Sequence, residues 1–136
     1  MNIVLDSSVV AKWYLDEEQK QEALKLRDLH IEDQITITVP VLLLFELGNI
    51  FITRGLNQRD FYGNFEKLLN FEINFPDADF LFLRVTFFIA KKYKLTFYDA
   101  TYVALAQNLK CNFVTADQKL YQATKNLKFV KLLKTI

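Results

Sequence analysis

Short apolar runs that stop abruptly, each followed by a segment of helical character, constrain this chain more than any other feature. Asn2 to Leu5 is apolar and halts at Asp6, so a buried strand and then a helix from Ser7 to about Leu15 are expected. Glu17 to His30 carries Ala23, Leu24, Leu26 and Leu29 on an otherwise polar helix. Ile35 to Thr38 alternates as a strand and is rich in β-branched residues. Pro40 suits the first turn of a helix running to about Thr53, where its missing N–H has no partner to lose, and Gly55 ends that helix. Further helices are expected over Gln58–Asn70, from Pro76 and Asp77 to about Lys92, and over Thr96–Asn108. A strand at Asn112–Thr115, a short helix at Asp117–Thr124 and a strand at Leu127–Leu132 complete the chain. Alternating strands and helices predict an α/β fold with a parallel sheet covered by helices on both faces. The length of 136 residues suits one domain over residues 1–136.

In such a sheet, ligands bind at the carboxyl ends of the strands. Asp6 directly follows the first strand, and Asp117 follows Asn112–Thr115 after one residue. Both acids are therefore expected on one edge of the sheet.

Much other chemistry is excluded. One Cys and one His cannot form an internal disulfide or supply the roughly four N/S ligands of a structural zinc site. The three glycines, Gly48, Gly55 and Gly63, form no phosphate loop or dinucleotide fingerprint. The N-terminus lacks a basic region, and Glu46, Asn49 and Arg84 interrupt the longer apolar runs well short of the ~18 residues of a membrane span. No membrane association and a cytoplasmic location are the expectation, which a lone Cys111 fits.

Charge is unevenly distributed. Residues 1–90 carry 8 Lys and Arg against 14 Asp and Glu, whereas residues 91–136 carry 9 Lys against Asp99 and Asp117 alone. The basic segment reads as a solvated surface or as a face for a polyanion. Asp6, Thr96 with Asp99, and Asp117 each also suit a helix N-terminus, with Thr96-Phe97-Tyr98-Asp99 fitting a capping box. Glu46 fits no cap. It stands in the apolar helix Val41-Leu42-Leu43-Leu44-Phe45-Glu46-Leu47, where an unpaired carboxylate costs several kcal/mol or takes up a proton, and Asn49 shares its face. Clustered carboxylates repel one another unless a cation intervenes, and an all-oxygen donor set suits Mg²⁺ or Mn²⁺. An acidic metal site beside a basic face suits a phosphodiester.

These residues resemble a known family. Asp6-Ser7-Ser8-Val9-Val10-Ala11-Lys12-Trp13, Glu46-Leu47-Gly48-Asn49 after Pro40, Tyr98-Asp99-Ala100-Thr101-Tyr102-Val103-Ala104-Leu105-Ala106 and Phe113-Val114-Thr115-Ala116-Asp117 resemble, in order, the four motifs of PIN-domain nucleases of the VapC toxin type. Gln118-Lys119 stands where some members carry a further acid. The resemblance implies a PIN fold and Mg²⁺- or Mn²⁺-dependent hydrolysis of RNA by an activated water. It implies a metal-binding catalytic quartet of Asp6, Glu46, Asp99 and Asp117, with Asp6 and Asp99 the most direct ligands. Thr115 and Ser8 would orient the acids or cap helices, and Asn49 would position a ligand or a water. The implied partners are an RNA substrate, a second copy of the chain and a VapB-type antitoxin that plugs the site.

Two other classes are weighed beside it. A PIN scaffold without catalysis would bind RNA or protein only. Receiver and haloacid-dehalogenase-type domains also place acids at strand ends, but the latter want an acid where Ser8 stands. His30, within Asp28-Leu29-His30-Ile31-Glu32-Asp33, reads as a surface residue, and Cys111 as core packing. Phe80, Phe82, Phe87 and Phe88 read as core, with a self-association surface or antitoxin groove as the alternative.

Overall fold

The computed structural model describes residues 1–136. Four strands, β1 (Asn2–Leu5), β2 (Thr36–Ile37), β3 (Asn112–Thr115) and β4 (Val130–Leu132), form one sheet in the order β2-β1-β3-β4 with every pairing parallel. Seven helices connect and cover it: α1 (Ser7–Val10), α2 (Lys20–Ile31), α3 (Leu42–Thr53), α4 (Gln58–Asn70), α5 (Phe80–Tyr93), α6 (Phe97–Leu109) and α7 (Gln118–Ala123). Successive strand residues point to opposite faces, yet Ile3, Val4 and Leu5 are all buried, as are Phe113, Val114 and Thr115. The central strands are therefore covered on both faces, as expected.

The order of the strands places the site. The chain leaves β1 towards β2 on one side, then returns to lay β3 on the other side of β1 and β4 beyond it. The carboxyl ends of β1 and β3 thus meet at the point where the connections diverge, which opens a crevice there. Leu5 pairs with Val114, so Asp6 emerges beside Thr115.

Several boundaries differ from the sequence expectation. The helix after β1 lasts one turn and tightens into a 3₁₀ turn at Ala11–Trp13. Trp13 is fixed there by its indole N–H, which donates to the Ala23 carbonyl at 2.9 Å, and by an edge-on contact with Phe71. Helix α2 starts at Lys20 rather than Glu17, because Gln19 is left-handed (φ 60) and cannot continue a helix backwards. Helix α5 starts at Phe80 rather than at Pro76 and Asp77. Asp79 takes the capping role, accepting the Phe82 N–H at 2.8 Å. The second strand shrinks to Thr36–Ile37, with Thr38 bridging Asn74, and the last begins at Val130. His30 is buried rather than exposed. Its Nδ1 accepts the Ile37 N–H (3.0 Å), which leaves Nε2 to donate to the Phe71 carbonyl (2.7 Å).

Helices α3 and α5 bury less than their composition suggests. In α3 only Leu43, Leu47 and Phe51 are buried, one stripe at i, i+4 and i+8, while Phe45 and Ile52 are 72% and 68% exposed. Helix α5 buries Thr86 and Ile89 and leaves Phe80, Phe87 and Phe88 largely exposed. The core reading of that phenylalanine cluster is thus corrected for three of its members, and Phe82 alone packs partly against the core. No helix is long and apolar enough to cross a membrane.

Phe51 separates the two faces of α3. Its ring meets Tyr14, Phe61 and Phe65 edge-on, with centroids 5.6 to 6.1 Å apart. Phe51→Ala is expected to lower unfolding free energy by roughly 3–5 kcal/mol in urea denaturation, and Phe45→Ala by under about 1 kcal/mol. Equal losses would contradict the assignment of faces.

Candidate functional site

Asp6 lies buried at the end of β1, and every donor around it comes from the crevice itself. The Thr115 hydroxyl, from the last residue of β3, donates to Asp6 Oδ2 at 2.5 Å. The Ser8 hydroxyl donates to Asp6 Oδ1, which also accepts the Val9 N–H at 3.3 Å as a cap of α1. The same two hydroxyls then accept from the loop after β3. Ser8 Oγ takes the Ala116 N–H (3.0 Å) and Thr115 Oγ1 takes the Asp117 N–H (3.0 Å). Ser8 and Thr115 therefore orient Asp6 and fix the approach of Asp117, rather than serving as caps.

Asp117 is exposed and caps α7, with Oδ1 accepting the Lys119 and Leu120 N–H groups at 2.9 and 3.1 Å. Only one of its oxygens is committed in this way. Thr96 caps α6 by accepting the Asp99 N–H at 3.1 Å, and its hydroxyl lies beside the half-buried Asp99 carboxylate. Glu46 reaches across from α3 to α6, where its Oε1 accepts from the Tyr102 hydroxyl. It is half-buried rather than enclosed, because one side of α3 faces out. Asn49 is exposed; its backbone carbonyl accepts from the Thr53 hydroxyl (2.6 Å), and its side chain makes no hydrogen bond to the four acids.

The four acids feel one another. Burial pushes Asp6 up to about 6; its bonds from Ser8, Thr115 and Val9 oppose that, and the charge of Asp117 adds to it. Burial also raises Asp99, with Asp117 adding to the shift, and raises Glu46, with Tyr102 opposing and Asp99 adding. The order of influence, Asp6 to Asp117 to Asp99 to Glu46, draws one continuous region of negative charge at the sheet edge. The carboxylates do not yet form a closed ligand set, since no three His, Cys, Asp or Glu side chains stand close enough together to hold one ion. The donors are all oxygen, suited to a hard cation rather than to zinc or copper.

Residues 3–126 match the family model described as PIN domain. The chain belongs to the PIN-domain family. It is 30% identical over 129 residues to Ribonuclease VapC3 of Pyrobaculum aerophilum, an alignment spanning 88% of this chain and 92% of that protein. Its fold is shared with VapC20 of Mycobacterium tuberculosis, described as a Sarcin-Ricin loop cleaving toxin. The TM-score is 0.69 at 14% identity, covering 89% of this chain and 94% of that one. It is also shared with VapBC2 of Rickettsia felis bound to a promoter DNA fragment, with TM-score 0.70 and 14% identity over 97% of each chain.

In this PIN domain, Tyr102 is the participant that the sequence reading quoted but gave no role. Burial raises its pKa far above the usual phenol value and the bond to Glu46 raises it further, so it stays a neutral donor. Its position three residues after Asp99 places both on one side of α6, a spacing visible in the sequence.

A raised carboxyl pKa stabilises the folded state at low pH. For Asp6 that contribution is complete below its unfolded value near 4 and lost as pH rises through about 6. In the PIN domain held in EDTA, Asp6→Asn is expected to be more stable than wild type by about 1–2 kcal/mol at pH 7, because the charge is gone although one acceptor is lost. That advantage is expected to vanish by about pH 4 in urea denaturation. A difference independent of pH would contradict a strained Asp6 charge.

Proposed function

We propose that the chain is a divalent-cation-dependent endoribonuclease of the VapC type, and that Asp6, Glu46, Asp99 and Asp117 are its catalytic carboxylates. The observation that carries this reading is the buried Asp6 carboxylate, kept in the crevice by Ser8 and Thr115 against its own desolvation and the charge of Asp117. A group that serves packing alone has no reason to be an acid there. Mg²⁺ or Mn²⁺ would be held chiefly by Asp6 and Asp99, with Glu46 and Asp117 acting through waters that a small hard cation keeps. Such a cation supplies Lewis-acid stabilisation of phosphoryl charge and makes water a stronger nucleophile near neutral pH.

The chain's own residues have separate tasks. Ser8 and Thr115 fix the orientation of Asp6. Tyr102 holds Glu46 Oε1 and so fixes the reach of that carboxylate from α3 towards α6. Asp117 divides its carboxylate between capping α7 and facing the site. The cap uses the Asp99 backbone N–H, and the Thr96 hydroxyl beside its carboxylate can donate to an amide oxygen equally, so neither contact requires the charge of Asp99.

The names of the similar proteins point to partners. VapBC2 of Rickettsia felis and a toxin-antitoxin complex from Klebsiella pneumoniae share the fold, and an antitoxin of the VapB type is assigned to this chain on that basis; a homodimer is assigned from the family resemblance alone. Exposed Phe80, Phe87 and Phe88 on α5 support a protein partner, because large exposed aromatics are costly on an isolated domain. A PIN scaffold without catalysis is the competing reading, favoured by the lack of a converged trio of ligands.

Asp99→Asn separates the two. It keeps the backbone cap and side-chain size and removes only the charge. With Mg²⁺ or Mn²⁺, wild type is expected to cleave RNA and to stop in EDTA. Asp99→Asn is expected to lose at least about 100-fold in rate, with a melting temperature in EDTA no lower than wild type. Equal cleavage by the two proteins would remove Asp99 from the site, and full cleavage in EDTA would reject the cation.

A further inference from the structure

Lys12 is the anomaly left over by the acid cluster. It lies in the 3₁₀ turn after α1, and only 9% of it is exposed. An ammonium has three donors, yet this one makes a single long contact, 3.5 Å to Glu17 Oε1. The other oxygen of Glu17 is taken by the guanidinium of Arg54, from the C-terminus of α3. One glutamate thus serves two cations and leaves a net positive charge. Lys12, Glu17 and Arg54 line a cavity of about 340 Å³ whose other wall includes Ser8 and Ala116. Ser8 is the residue whose hydroxyl holds Asp6, and Ala116 precedes Asp117. The cavity therefore adjoins the acid cluster directly.

We propose that Lys12 and Arg54 form a subsite for a phosphate of the RNA strand next to the phosphodiester at the carboxylates, with Glu17 as the internal counter-ion that holds both cations in place until RNA arrives. The proposal rests on the ribonuclease reading and deepens it by naming how the strand is gripped. The physical case is one of unmet valence. A nearly buried cation with one contact at the limit of hydrogen bonding is costly. A phosphate oxygen entering the cavity supplies the missing acceptors, and Arg54 can offer a two-pronged contact to the same group. The position also answers an electrostatic problem. An acidic cluster repels a polyanion, so a strand crossing it needs fixed positive charge beside it. The abundant lysines of residues 91–136 are largely exposed, whereas Lys12 is held in place.

The test is binding of a fluorescent single-stranded RNA by anisotropy in EDTA, where no turnover is needed, over a range of salt concentrations. Lys12→Gln and Arg54→Gln are each expected to weaken binding about fivefold and to flatten the slope of log affinity against log salt by about 0.7, the value for one phosphate contact on a single strand. Glu17→Gln frees both cations and is expected to strengthen binding several-fold. Unchanged affinity and slope in the folded Lys12→Gln and Arg54→Gln variants would overturn the subsite, as would wild type that binds no RNA at low salt. If Lys12→Gln does not fold, the surface changes Arg54→Gln and Glu17→Gln decide the matter by themselves. The two readings fail separately. Cleavage in Mn²⁺ with unaltered binding in the variants rejects the subsite alone, and variant-sensitive binding without any cleavage rejects the nuclease and leaves the subsite.

Discussion

One buried carboxylate organises the working edge of this molecule. Asp6 sits where β1 ends, and the parallel register places Thr115 of β3 next to it. A charge at that depth is tolerable only with donors on its oxygens, and Thr115, Ser8 and the Val9 amide provide them. Those hydroxyls pass the constraint on, because each also accepts a backbone N–H from the loop after β3. The path of Ala116 and Asp117, and with it the start of α7, is set by what Asp6 requires. A change at Thr115 would therefore be felt at both strand ends at once.

The arrangement carries a cost in stability. Burial and mutual repulsion raise Asp6, Glu46 and Asp99 together, which means each resists being charged in the folded chain. The fold compensates locally, through the Tyr102 bond to Glu46 and the capping interactions of Asp6 and Asp117. Capping and catalysis are not rival explanations for these acids. A carboxylate can cap a helix with one oxygen and present the other, and Asp117 has the geometry to do so.

Local signals were the legible ones. The strand that stops at Asp6 is an apolar run next to an acid, and such a signal survives any tertiary context. The motifs at Glu46, Asp99 and Asp117 were found because they lie in continuous stretches. What failed depended on packing between distant segments. Helix α3 is apolar nearly all round in sequence, yet composition cannot say which side a neighbour covers, and Phe45 and Ile52 face outward. The same limit hid the exposure of Phe80, Phe87 and Phe88. His30 looked like a surface residue from its charged neighbours and is instead clamped between the Ile37 amide and the Phe71 carbonyl, more than 40 residues away in the second case. Pro76 and Asp77 look like a helix start in sequence, but Asp79 is the residue that caps α5. Lys12 lay in plain view in the first motif, but its burial and its cavity arise only when the end of α3 brings Arg54 to Glu17.

These acids are proposed to hold a cation in addition to any capping they do. Titration of Mn²⁺ followed by electron paramagnetic resonance tests this without reference to any substrate, since the signal of the free aqueous ion falls as it is bound. Wild type at neutral pH is expected to deplete that signal at stoichiometric protein, and Asp99→Asn to leave it close to that of buffer. Undiminished free Mn²⁺ with wild type, or equal depletion by both proteins, would contradict the account.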